Sequence, residues 1–154
     1  MDSKFIFDWH ESGDPRDILL SGFRECILTC ADHGKPISVV LRGGEVPELR
    51  IRSVMHEVRQ RLEVGVLEFS RSSGSQGSVI TLASFDPQSY SVSKLIIEET
   101  DFSAESGIVL QGENSELLIV AGAYPYTLAV KFPGSDKIPF EPEYPLERYK
   151  RVAF

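Results

Sequence analysis

The sequence predicts an α+β fold: two N-terminal helices packed on a mostly antiparallel β-sheet, with an extended proline-containing segment at the C-terminus. Three observations carry this. Apolar residues recur at three- and four-residue steps in the first part of the chain and at two-residue steps beyond Leu62. Near the end, Pro139, Pro142 and Pro145 recur every third residue, the turn length of a polyproline II helix.

The short stretch Phe5-Ile6-Phe7-Asp8-Trp9 suits a strand or an apolar arm. A first helix then follows from its signals. Asp14 caps it, Pro15 fits its first position, and Asp17 places negative charge in its first turn. Leu19, Leu20, Phe23, Cys26, Ile27 and Cys30 form its apolar stripe, and Gly34 stops it. Ile37-Ser38-Val39-Val40-Leu41 follows Pro36 as a β-branched strand ended by Gly43-Gly44. The second helix begins at Pro47, with Ile51, Val54, Met55, Val58 and Leu62 on one face. Glu48 with Arg52, and Glu57 with Arg61, stand at the i, i+4 spacing of helical ion pairs.

Leu62, Val64 and Val66 then alternate with polar residues up to Phe69, and a Ser/Gly-rich loop over 71–77 leads into Val79-Ile80-Thr81-Leu82. Asp86-Pro87 turns the chain into Lys94-Leu95-Ile96-Ile97-Glu98. Two apolar runs, 108–110 and 117–120, flank a hairpin turn at Gly112-Glu113-Asn114. Tyr126-Thr127-Leu128-Ala129-Val130 completes the meander, with Tyr126 expected in the sheet core. No repeat or linker divides the chain, so residues 1–154 read as a single domain.

At 154 residues folding buries roughly 68–70% of the unfolded surface, enough for a core without metal or disulfide. With 16 Lys+Arg against 23 Asp+Glu the net charge is −7, which argues against direct nucleic-acid binding, since phosphates demand surplus cations. No apolar run approaches the ~18 residues of a membrane span. Met1-Asp2-Ser3-Lys4 does not open a secretory leader. Only Cys26 and Cys30 occur, unlike a cystine-dense secreted domain, so the expected location is the cytoplasm.

The charge is unevenly spread. Residues 1–77 carry 12 acids and 10 bases, residues 78–154 carry 11 and 6. From 95 to 130 there is no Lys or Arg, yet Glu98, Glu99, Asp101, Glu105, Glu113 and Glu116 fall there. Glu141, Glu143 and Glu147 add to them on the proline segment. Acidic loops are commonly a solvated face. Aromatics accompany these acids, however, and Tyr124 and Tyr144 have the character of interface anchors, a large contact area with a polar tip.

Catalytic patterns are missing from the sequence. Cys26, Cys30 and His33 on successive helical turns would offer three zinc ligands, but the cysteines share the apolar stripe, where free Cys is an ordinary core residue. Ser73-Gly74-Ser75-Gln76-Gly77 departs from the nucleophile elbow at its first glycine and precedes a strand. There is no phosphate cradle or dinucleotide fingerprint, and the neighbouring carboxylates are surface acids without the arrangement of a glycosidase pair. Arg52, His56 and Arg59 form the best alternative, a shallow anion site, but Glu48 and Glu63 flank them. The sequence therefore reads as a non-enzyme without cofactor or metal.

Small, acidic, α+β and without a catalytic signature, the chain resembles, at the level of class, the immunity proteins of bacterial toxin systems, including those of contact-dependent growth inhibition. That resemblance implies a tight complex with a basic toxin domain, a nuclease for example, whose phosphate-binding site an acidic surface occupies. The expected partner-binding residues are Glu98, Glu99, Asp101, Glu105, Tyr124, Glu141, Glu143 and Tyr144. The competing reading is a small acidic secretion chaperone that binds a segment of its effector.

Overall fold

Apolar spacing that suits a helix is built here into strands. The computed structural model describes residues 3–43, 48–72 and 77–154, without the side chains of residues 72 and 82–84. An N-terminal arm forms β1 (Ser3–Phe5) and β2 (Asp8–Trp9), and α1 (Pro15–Leu19) follows. Then come β3 (Phe23–Cys30), β4 (Pro36–Arg42), β5 (Glu48–Arg59), β6 (Leu62–Ser72) and β7 (Ser78–Phe85). The second half adds β8 (Ser91–Glu98), β9 (Phe102–Gln111), β10 (Glu116–Ala121), β11 (Leu128–Lys131), a 3-10 turn (Leu146–Arg148) and β12 (Lys150–Ala153).

The expected α+β architecture is thus corrected to a two-sheet β structure. The first sheet runs β2-β6-β5-β4-β3-β7 and the second β11-β10-β9-β8-β12, with β1 lying parallel beside the N-terminal half of β9. The capping signals at Asp14, Pro15 and Asp17 are real, and the Asp14 carboxylate accepts from the Arg16 N–H at 2.9 Å. They start a helix of only five residues, capped at Leu20, after which Gly22, at φ +96°, leads the chain into β3. Beyond it, the pairing of β3 with β7 slips between Phe23 and Glu25. The extra residues of that irregularity lie on β7, where the step from Phe85 to Thr81 is four against two on β3. Phe23, at the irregular start of β3, and Cys26 and Leu28, in its regular part, all enter one core, and this three-residue step imitates a helix. Gly34 caps no helix; at φ +83° it turns the β3–β4 hairpin.

The second expected helix is β5, paired with β6 from Glu48↔Ser72 to Arg59↔Leu62. Leu49, Ile51 and Ser53 are buried while Arg50 and Arg52 alternate with them, a strand period that overrides the weaker helical one. The i, i+4 pairs dissolve accordingly. Arg52 faces Glu68 directly across the ladder, Nη2 to Oε1 2.6 Å, and Arg42 Nε stands 3.4 Å from Glu48. Gly44, Pro47 and residues 73–76 of the Ser/Gly loop lie outside the described residues.

The expected strands of the second half are present, with Gly112 N–H donating to Ser115 C=O at the β9–β10 turn. One core joins Leu41, Ile51, Leu67 and Phe69 of the first sheet to Ile108, Leu110, Ile119 and Val130 of the second. Another takes Leu95, Ile97, Val109, Leu118 and Val120 and is covered by Phe140, Tyr144, Leu146 and Tyr149. β10 contributes to both, and this burial on two faces explains its unbroken apolar run. The proline segment is the extended strap expected, bridging Gly122 at Pro142 before the chain ends as the edge strand β12 on β8. Among the described residues no helix is long and apolar enough to cross a membrane.

Candidate partner-binding surface

An antiparallel meander puts alternate turns at the same end of a sheet. Gly107 of β9 lies opposite both Leu95 of β8 and Val120 of β10, so the β8–β9 and β10–β11 turns share one end. The strap crosses between them, from the Gly122 bridge to the Lys150↔Ile96 pair.

The β10–β11 turn is tightly held. Gly122 N–H donates to Thr127 C=O at 2.8 Å, and the Thr127 hydroxyl donates to Tyr124 C=O at 2.6 Å. A Cβ on Gly122 would stand 2.3 Å from Thr127 Oγ1, so a side chain there would displace the Thr127 hydroxyl from the turn. The strap braces it through Ala123 N–H to Glu141 C=O, 2.8 Å. Tyr126 sits at φ +62°, a region bulky side chains rarely adopt. Its ring is not in the sheet core, as the sequence suggested, but 60% exposed, and Tyr124 is 53% exposed beside it. The turn reverses the chain before β11, and this removes Tyr126 from the strand alternation. Lys35, from the β3–β4 turn, places Nζ 4.3 Å from the Tyr124 ring centre and 3.2 Å from Glu141 Oε1. Nothing local in the sequence marks Lys35, which lies 106 residues from Glu141.

At the β8–β9 turn the acids meet cations from elsewhere in the chain. Asp101 pairs with Arg59 and Glu99 with Arg148, while Lys150 Nζ lies 3.8 Å from Glu98. Tyr144 is half-buried, its ring edge-on to Tyr149 at 6.3 Å and its face under the Arg148 guanidinium at 5.0 Å. Burial, with the charges of Glu143 and Glu99 behind it, pushes its phenol pKa up. A tract empty of cations in sequence is therefore lined with them in space.

Two expected residues stand apart from the turns. Glu105 accepts from Lys94 Nζ at 2.6 Å and from the Phe7 N–H at 2.9 Å, fastening the arm to the second sheet. Glu143, on the strap, turns its carboxylate toward β6, where it accepts from Gly65 N–H at 3.2 Å. Desolvation there raises its pKa to about 7, partly opposed by that hydrogen bond.

Arg52, His56 and Arg59 do not converge. His56 lies tilted against the Phe5 ring at 5.6 Å, Arg52 is engaged by Glu68, and Arg59 by Asp101. Cys26 is buried, its thiol pushed up to about 11 by desolvation, whereas Cys30 is exposed and His33 Nδ1 accepts from Lys35 N–H. Comparison with family models, with curated proteins and with solved structures finds no match to this chain.

Proposed function

We propose that this chain is a non-catalytic binding protein of the immunity type, which neutralises a basic toxin domain by docking on it through the Tyr124-Pro125-Tyr126 turn. The observation that carries the reading is Tyr126: a bulky residue at positive φ whose ring then lies in solvent. Such strain costs about 1–3 kcal/mol and is not offset by core packing, so it fits a side chain held out for a partner. Tyr124, stiffened by Lys35 and the strap, supplies a second pre-ordered aromatic contact.

The acids act at longer range. Ion pairs at Glu98, Glu99, Asp101, Glu105 and Glu141 leave the net charge of −7 unchanged. An approaching cationic domain responds to that net charge before contact, which speeds association more than it adds affinity. The net charge of −7, the part of the likeness that does not depend on the α+β expectation, supports the choice of a basic partner.

The test compares wild-type chain with a Tyr124→Ala/Tyr126→Ala variant as bait in native lysate, followed by kinetics with the purified partner. We expect a stoichiometric basic protein whose toxic activity is suppressed by wild type and at least 10-fold less by the variant. A partner bound equally by both, or one whose activity survives binding, overturns the proposal.

A further inference from the structure

At the other end of the arm, three ligand-type side chains meet. Asp8 and His10 are two residues apart on an extended segment and so project from one face. Asp8 lies opposite Glu68 in the parallel β2–β6 pair, and His10 N–H donates to Phe69 C=O at 3.1 Å, so the backbone fixes all three positions. His10 Nε2 stands 3.3 Å from Asp8 Oδ1 and 3.3 Å from Glu68 Oε2, and the three ligand atoms fall within 4.8 Å of one another.

Hydrogen bonding accounts for only part of this geometry. Both contacts, the His10–Glu68 hydrogen bond included, lie just beyond the usual range of about 2.7–3.2 Å for N–H···O, and one Nε2 proton would be shared between two acceptors. Two carboxylates directly opposite on paired strands also repel. Ligand atoms about 2.0–2.2 Å from a tetrahedral cation, by contrast, are separated by roughly 3.3–3.6 Å. Arg52 holds the other Glu68 oxygen, Oε1, through Nε at 3.1 Å and Nη2 at 2.6 Å, leaving Oε2 turned toward His10. That is the usual work of a group behind a metal ligand.

We propose that Asp8, His10 and Glu68 bind a divalent transition-metal cation of the zinc type and so fasten the N-terminal arm to β6. One imidazole and two carboxylates suit Zn2+ better than Ca2+ or Mg2+, which prefer oxygen alone. The fourth position is left to water. The site is independent of the docking turn.

Titration calorimetry of the full chain with Zn2+ alone tests this, beside His10→Ala, Asp8→Asn and a Cys30→Ser/His33→Ala control. The expected result is one equivalent bound by wild type and control, at least 10-fold weaker binding by His10→Ala and Asp8→Asn, and slowed amide exchange at Trp9 and His10 on adding metal. His10 and Asp8 are solvent-facing, so both variants should keep the wild-type circular dichroism spectrum. Absence of binding by wild type overturns the site. So does undiminished binding by the ligand variants, or loss of binding in the control.

Discussion

Gly65 N–H donates to the Glu143 carboxylate, 3.2 Å to Oε1 and 3.3 Å to Oε2, and this contact ties the C-terminal strap to β6 of the first sheet. On the same stretch of β6, the Ser106 hydroxyl donates to Gly65 C=O at 2.7 Å. Both backbone polar groups of Gly65 are therefore satisfied from outside its own sheet, one by the strap and one by β9, where the β8–β9 pairing slips.

The raised pKa of Glu143 makes stability depend on pH. Its native value, about 7, lies above the ordinary 4.5, so the folded chain holds a proton that the unfolded chain releases. No penalty operates below about pH 4.5; stability falls as pH rises toward 7 and stays reduced above it. A displacement of that size is worth at most about 3 kcal/mol, less where solvent reaches the carboxylate. Glu143→Gln keeps an acceptor for Gly65 and removes the charge. Urea midpoints should show the variant gaining about 1–3 kcal/mol on wild type at pH 8 and almost nothing at pH 4.5. A difference that does not change with pH would exclude this account.

Gly65 is also a point of close approach. A Cβ there would meet Ala121 Cβ at 2.5 Å and Ser53 Oγ at 3.0 Å. Gly65→Ala should cost about 1–3 kcal/mol by overpacking, and Ala121→Gly in the same chain should recover part of it. Equilibrium unfolding of the two single variants and the double variant measures the coupling. Strictly additive losses would mean that the two residues do not press on each other.

The two cysteines should behave differently toward a thiol reagent. Cys26 is buried with its pKa near 11, so it offers neither thiolate nor access, whereas Cys30 is exposed. Native protein should react quickly at one thiol and denatured protein at two, as read by chromogenic disulfide exchange. Two fast thiols in the native state would contradict the placement of Cys26.

How far the sequence disclosed this molecule depends on where bulges and turns fall. The second half was legible because β8, β9 and β10 hold a regular period or a plain apolar run between strong turn residues. The first half was not. Phe23 and Cys26 share a core across the irregular start of the β3–β7 pairing, and their three-residue step is indistinguishable in sequence from one along a helix. In β5 the alternation of Leu49, Ile51 and Ser53 with Arg50 and Arg52 was available in the chain, but a helical subset of the same residues competes with it. The surface was legible only in composition. Tyr124 could be recognised as exposed, yet the cations beside Glu99, Asp101 and Glu141 come from residues 49, 42 and 106 positions away, and no local pattern announces them.

Tyr126 separates stability from binding in a single substitution. At φ +62° a glycine relieves the steric cost that a Cβ imposes, although it also enlarges the entropy of the unfolded chain. The ring gives up few core contacts because it is 60% exposed. Tyr126→Gly should therefore match wild type in unfolding free energy or exceed it by up to about 1 kcal/mol, while the partner's dissociation rate rises at least 10-fold. Thermal unfolding together with surface-bound kinetics on the purified complex provides both numbers. A loss of more than about 1 kcal/mol would mean that the ring packs rather than projects. A stable variant with unchanged dissociation would leave the strained turn without a part in binding.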